Sequence, residues 1–314
     1  MSTVVLTSTD NLPYEDWLEY RKLGIGGSDA SVVCGINRYK SPVELWMEKT
    51  DQLPCQEAGE AAYWGTQLEN LVRSEFTKRT GIEVKQVNQM LQSEEYPFMV
   101  ANLDGECVHP DYGICGFEAK TASAYKSGEW DDTIPDEYQL QVQHYMAVTG
   151  YTGFYIAVLI GGNTFRWKFI KRDEELISML IDLETAFWHY VQDLTPPPMD
   201  GSDASAKFLA DRFPDSIPKS QITLPDDAAA LLAQYDSACE QLEAITEKKQ
   251  EAENRLKEML GENEVGTAGS HIVTWKSISQ ERLDSKTLKA EHPVLYKKYS
   301  NKTSYRRFSI KAAV

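Results

Sequence analysis

Long hydrophobic runs are missing from this 314-residue chain: no stretch of about 18 apolar residues occurs, so no segment reads as a membrane-spanning helix. The opening, MSTVVLTSTDNLPYEDW, has no basic n-region and no extended apolar stretch. No secretory signal is expected there, and a cytoplasmic location is. Cysteine is scarce and unpatterned. The five (Cys34, Cys55, Cys107, Cys115, Cys239) include no C-x-x-C pair and leave one over, which excludes a zinc ribbon and a disulfide framework. A Walker loop is absent too: the glycines of GIGGSD (Gly24–Asp29) are not followed by Gly-Lys-Ser/Thr and do not fit G-x-G-x-x-G. Basic charge is in deficit, with 32 Lys and Arg against 48 Asp and Glu for a net charge of −16. Taken alone, that balance argues against a nucleic-acid partner. Its distribution argues otherwise, because from Lys276 onward ten Lys/Arg stand against three acids, a local +7.

What is present supports a sizeable core, with 42% hydrophobic and 11% aromatic residues. The length fits one large domain or a domain with an accessory one. A short helix is expected around Tyr14–Arg21, ending at the glycines of GIGGSD, where Ser28-Asp29 caps a second. Two readings stay open for that joint: a plain helix–turn–helix connection, or an anion site with Arg21 just upstream. A helix, VELWMEKT, follows Ser41-Pro42, and residues 53–59 read as a loop. Ala61–Thr80 has its apolar residues Tyr63, Trp64, Leu68, Leu71, Val72 and Phe76 at spacings of three and four, predicting a core-facing amphipathic helix. Glu69 falls beside that stripe, either as a boundary residue or reaching inward.

Strand-like IEVKQVNQML comes next. A helix, EYQLQVQHYMAVTG, carries Gln141 and Tyr145 on one face at i, i+4. A buried strand, TGFYIAVLIGG, an alternating one, TFRWKFIKRD, and the helix EELISMLIDLETAFWHYVQDL close the domain before Pro196. The order predicts an α/β core with a mixed central sheet flanked by helices over residues 1–198. Residues 199–225 read as a linker. Residues 226–314 read as an accessory domain: a long helix or helical pair with heptad-like apolar spacing, suited to a partner helix within or between molecules, then a basic β segment. The aromatic–basic end (Tyr296–Tyr299, Tyr305–Phe308) is open between nucleic-acid contact and a solvated strand pair.

The chemistry concentrates in one stretch, ANLDGECVHPDYGICGFEAK (101–120). Two apolar runs separated by turn residues around Pro110–Gly113 predict a β-hairpin. Strand period two then puts Glu118 and Lys120 on one face, with Phe117 and Ala119 on the other. Asp104, near the paired strand, would bring its carboxylate toward that of Glu118. Two carboxylates and a lysine at such a point suit a hard divalent cation beside an activated water. An ordinary E-x-K ion pair on a strand face is the plainer reading of the same residues.

These pieces in this order (Arg21 with GIGGSD, Glu69 in GTQLEN, Asp104 in NLDGE, Glu118-x-Lys120, and Gln141–Tyr145 in QVQHY) resemble the YqaJ-like viral recombinase family. Its members are relatives of lambda exonuclease in the PD-(D/E)XK nuclease superfamily, and the resemblance covers roughly residues 14 to 195. The Pro of the superfamily's Pro-Asp is Leu103 here, which leaves the carboxylate in place. The resemblance implies a restriction-endonuclease-like core and 5′-to-3′ exonuclease activity on linear double-stranded DNA. Asp104 and Glu118 would be ligands of one or two Mg²⁺ or Mn²⁺ ions, with the carbonyl of Ala119 a third. Lys120 would position or activate the attacking water, and Glu69 would assist the metal site. Gln141 would orient the site near the scissile phosphate, with Tyr145 its partner. Arg21 and Ser28 would hold the terminal 5′ phosphate.

The resemblance further implies a ring-shaped trimer around DNA and a RecT- or Redβ-like single-strand annealing protein as partner, in a bacterial cell or a phage-infected host. An acidic exterior with a basic channel would reconcile −16 with DNA binding. Other PD-(D/E)XK endonucleases and a non-catalytic DNA-binding scaffold remain as alternatives. An iron–sulfur exonuclease is discounted, since no cysteine lies between Cys115 and Cys239.

Overall fold

The computed structural model describes residues 3–54, 59–302 and 304–311. Cys55 and the centre of the loop expected at 53–59 lie outside the described residues. The chain divides into two compact units, Met1–Phe213 and Pro214–Val314.

In the first unit the elements run β1 (Thr3–Ser8), α1 (Tyr14–Lys22), β2 (Ile25–Gly26), α2 (Gly27–Val33), α3 (Pro42–Lys49), α4 (Glu60–Thr80), β3 (Val84–Lys85), β4 (Gln89–Ser93), β5 (Met99–Asn102), β6 (Gly105–His109) and β7 (Gly113–Ala122). A 3-10 helix (Ala124–Trp130), α5 (Asp136–Thr149), β8 (Gly153–Ile160), β9 (Thr164–Lys171), α6 (Glu174–Gln192) and α7 (Asp203–Arg212) complete it. Among the described residues the strands form two mixed sheets rather than the single one expected. Five strands take the order β3-β6-β7-β8-β9, with only β7 and β8 parallel. Four more take the order β1-β4-β5-β2, with β2 parallel to β5. IEVKQVNQML is thereby split, β3 joining one sheet and β4 the other. Strand β1, unforeseen from sequence, covers the edge of β4.

Helix α5 fills the space between the sheets. Its Val142, Tyr145 and Met146 pack with Leu91, Met99 and Ala101 on one side and Phe154 on the other. The opposite face of the five-stranded sheet takes Val72 and Phe76 of α4 against Phe117 and Tyr155. Only the C-terminal half of α4 meets the sheet. Tyr63, Trp64 and Leu71, expected in the core, are each more than half exposed, and the stripe is carried by Val72, Arg73 and Phe76. Gly116 of β7 is required by packing, since a Cβ there would stand 2.0 Å from the Phe154 ring.

The segment read as a linker contains α7, whose Ala204, Ser205 and Phe208 are buried, Phe208 in a cluster with residues of α3 and α6. The compact first unit therefore extends to Phe213. Alternating small and apolar residues at helical spacing (Ala204, Ser205, Phe208) are the signal that the Pro- and Asp-rich flanks hide.

The second unit holds α8 (Ala228–Leu260), one unbroken helix, then the hairpin β10 (Val265–Ala268) and β11 (His271–Thr274), α9 (Ser285–Glu291) and α10 (Pro293–Tyr299). The basic aromatic end does not form the β segment that was one of its readings. Tyr296–Tyr299 lie on α10, started by Pro293 at its first turn, and residues 304–311 have no regular structure.

Candidate active site

The hairpin expected from 101–120 forms, with β6 and β7 in register from Gly105↔Phe117 to His109↔Gly113. Pairing stops at Gly105, so beyond Phe117 that edge of β7 is left uncovered. Asp104, the residue before β6, fills the gap: its Oδ2 accepts the Ala119 N–H at 2.8 Å. In an extended strand a residue's N–H and C=O face the same edge, so the Ala119 carbonyl is on the Asp104 side as well. Glu118 and Lys120 share the other direction. Lys120 Nζ donates to Glu118 Oε1 at 2.6 Å and to Gln141 Oε1 at 3.0 Å. Gln141 Nε2 donates to the same Glu118 Oε1 at 2.7 Å and to the Tyr145 hydroxyl at 3.0 Å. The ammonium of Lys120 also lies 4.8 Å from the centre of the Tyr138 ring, which fixes its direction.

Glu69 comes to this site from α4, paired with Arg73 at 3.6 Å. Arg73, itself buried, donates to the carbonyl of Asp104 at 2.6 Å and thereby ties α4 to the turn that carries the carboxylate.

The charges have physical consequences. Burial raises Glu118 to about 8, the Asp104 charge adding to the shift and Lys120 opposing it. Burial likewise raises Asp104, against the pull of Lys120 and the Ala119 N–H. Glu69 is raised to about 7 by burial and then by Asp104. Burial works against the Lys120 ammonium, but Glu118 and Asp104 outweigh it and hold the group above the ordinary lysine range. Positive charge is in short supply for this many carboxylates.

The donors fit a hard divalent cation. Among the described residues Glu118 Oε2 is buried with no hydrogen-bond partner, an expensive state for a carboxylate oxygen unless something else takes it. Among the described residues no three His, Cys, Asp or Glu side chains cluster as a metal cage. The available set is two carboxylates and a backbone carbonyl, all oxygen, leaving positions for water; Mg²⁺ is held in this way, by one or two carboxylates.

Arg21 and Ser28 meet at a neighbouring cavity of about 350 Å³, lined also by Trp17, Tyr39, Lys40 and Lys49. The Arg21 guanidinium reaches Asp29 Oδ1 at 2.7 Å and Ser28 Oγ at 3.3 Å and lies 5.3 Å over the Trp17 ring. Asp29 Oδ2 accepts the Gly26 N–H at 3.0 Å and Lys49 Nζ at 2.9 Å. Lys49, its side chain 4% exposed, also donates to the carbonyls of Arg21 and Gly24. GIGGSD is therefore neither of its two simple readings alone. It is a two-residue strand running into a helix, locked by a buried Asp–Lys pair, with Arg21 laid across it.

The match to the family model called YqaJ-like viral recombinase domain covers residues 16–152. The uncharacterized protein YqaJ of Bacillus subtilis (strain 168) is 40% identical over 312 residues, spanning 98% of this chain and 97% of that protein. The chain belongs to the YqaJ-like viral recombinase family. Among solved structures it is similar to an alkaline exonuclease, LHK-Exo, from Laribacter hongkongensis, with 21% identity over 58% of this chain and 94% of that one and a TM-score of 0.46. It is also similar to a phage-related exonuclease from Haemophilus somnus 129PT, with 15% identity over 57% and 97% of the two chains and a TM-score of 0.43.

Within this YqaJ-like domain the fold gathers Glu69, Asp104, Glu118, Ala119, Lys120, Gln141 and Tyr145 at one site and Arg21 with Ser28 at the next. Sequence reading missed Arg73, Tyr138 and Lys49, and had Asp29 only as a helix cap, which its bond from the Gly26 N–H makes it. Arg73 had a usable signal: it is a charged residue at a core position of a helical stripe, four residues after Glu69. Lys49 had none, being the last residue of an exposed-looking helix end.

Proposed function

We propose that the chain is a metal-dependent deoxyribonuclease that resects linear double-stranded DNA in the 5′-to-3′ direction. The product, a 3′ single-stranded tail, would pass to a single-strand annealing protein for recombination. The observation that carries the reading is the buried, unpartnered Glu118 Oε2 beside Asp104 and the anchored Lys120. Family membership and the adjoining Arg21–Ser28 cavity support it.

Asp104, Glu118 and the Ala119 carbonyl would hold Mg²⁺ or Mn²⁺, which supplies charge neutralisation at the phosphate and an acidified water. Lys120, held by Glu118 and Gln141, orients that water's lone pair and compensates negative charge as it grows. Gln141 keeps Glu118 Oε1 and Lys120 in register, and Tyr145 holds Gln141. Glu69, paired with Arg73 on α4, would assist the metal site from that helix. Arg21 and Ser28 place the terminal 5′ phosphate, and positioning of this kind carries much of a phosphoryl-transfer rate.

The test is digestion of end-labelled linear duplex beside a closed circle, with and without Mg²⁺. Stepwise loss from the 5′ end of the linear form alone, only with metal, is the expected result. Cutting of the circle would make the protein an endonuclease, and no cutting with either metal would make it a scaffold.

A further inference from the structure

Helix α8 has 33 residues, a rod of about 50 Å. Leu260 is its one buried residue. Its remaining apolar residues are open, Leu231 and Ile245 each 63% and Leu242 65% exposed. They are not scattered. From Ala228 to Met259 the spacing alternates three and four without a slip, with a positions every seven residues from Ala228 and d positions every seven from Leu231. Every position of that seam is apolar or alanine except Lys249, an a position.

We infer that α8 pairs with α8 of a second copy of this chain as an antiparallel coiled coil, its two-fold axis passing between Leu242 and Ile245. Three features of the seam commit it to that occupant and direction. Laid antiparallel about this centre, large faces small: Tyr235 meets the partner's Ala252, and Lys249 meets the partner's Ala238, with Leu242 on the partner's Ile245 between them. A parallel pairing would instead set Lys249 against its own copy and Tyr235 against its own copy. The flanking charges agree as well. Asp227 comes beside the partner's Arg255, and symmetry makes the contact twice. The ends also match, Leu231 meeting the partner's Leu256. At roughly 100 Å² for each large seam side chain, two helices together bury on the order of 1,000 Å², the lower bound for a biological interface. The arrangement is isologous and closes as a dimer of these helices, independent of any assembly made by the first unit and of the nuclease reading.

The test is cross-linking of the full chain with a short bis-maleimide in a Cys239→Ser background, run without DNA or metal. Thr246 lies close to the axis and its two copies face each other across the pair, so Thr246→Cys is expected to form a covalent dimer on a denaturing gel that the background protein does not form. Leu231→Cys, far from its own copy in this arrangement, is expected to stay monomeric on the same gel. The reverse pattern would mean a parallel pair and overturn the inference. No cross-link from either variant would mean that the two copies do not pair along this seam, and would overturn it too. Adding Ile245→Asp to Thr246→Cys should abolish the cross-link, while metal-dependent cleavage of linear duplex, where present, is retained.

Discussion

The ring of Tyr145 occupies the space that a side chain on Gly27 would need. A Cβ at Gly27 would stand 2.4 Å from Tyr145 Cε1 and 2.8 Å from Cζ. The glycine of GIGGSD is thereby fitted to α5, and through the Tyr145 hydroxyl to Gln141, Glu118 and Lys120. Gly27, next to Ser28 on α2, thereby forms a wall against Tyr145 of the carboxylate site. Gly27→Ala should push that wall, costing roughly 1–3 kcal/mol of stability and lowering turnover. Tyr145→Ala removes the ring that Gly27→Ala strikes but leaves a cavity in the core, so the double variant should lose less stability than the two single losses added and recover no turnover, a coupling read from urea unfolding of the two single variants and the double. Additive effects would mean that the two residues do not communicate.

Asp104→Asn and Glu118→Gln separate function from folding. Both carboxyls are raised by burial, Glu118 to about 8 with Asp104 adding to its shift. Neutral amides relieve that cost, so the metal-free variants should melt no lower than the parent. Cleavage should fall by roughly a thousandfold. Thermal melting beside single-turnover cleavage checks both halves, and full activity in either variant would remove that residue from the metal site.

Lys120→Met should act on rate more than on metal. The ammonium touches Glu118 Oε1 and Gln141, not the buried Glu118 Oε2. Turnover is expected to drop by about a hundredfold or more, with Mn²⁺ affinity held within about tenfold. Calorimetric titration with Mn²⁺ and steady-state cleavage decide between them. An affinity loss matching the rate loss would make Lys120 a structural support of the metal site.

Much of this site was legible because strand chemistry is local. Period two placed Glu118 and Lys120 together, and turn residues around Pro110–Gly113 placed Asp104 opposite them. The helix of Gln141 and Tyr145 was legible from its spacing and its closing glycine, Gly150. What could not be read depends on which surfaces meet. Tyr63 and Trp64 follow the same periodicity as Val72 and Phe76, yet the sheet ends before reaching them. One central sheet was expected because nothing in IEVKQVNQML says that its two halves join different sheets. Asp29 and Lys49 pair across 20 residues of chain, a separation at which neither helical nor strand period carries information.

Arg21→Ala should erase discrimination between 5′-phosphorylated and 5′-hydroxyl ends. Its planar fork already spans Asp29 and Ser28, leaving a charge-assisted grip for a phosphate at the cavity. Loss of such a bond corresponds to about 10- to 100-fold in the preference ratio. Competition between the two labelled ends measures it, and an unchanged ratio would move the phosphate pocket elsewhere.

Asp29 makes the pocket sensitive to acid. Burial alone would raise its carboxyl, but Arg21 and Lys49 outweigh burial and hold it well below the usual carboxylate range. A group depressed on folding stabilises the protein above its unfolded pKa, about 3.9, and that contribution is lost as pH falls toward the folded value. The parent should therefore lose stability below about pH 5 through this group, the window opened by a lowered carboxylate. Asp29→Asn strands the buried Lys49 and should cost roughly 3–5 kcal/mol at pH 7. It should also flatten the acid limb, because the titrating group is gone. Urea midpoints of both proteins from pH 7 down to about pH 2 measure the two effects together. A constant gap across that range would mean that some other carboxylate carries the acid limb, and that Asp29 is ionised equally in the folded and unfolded chain.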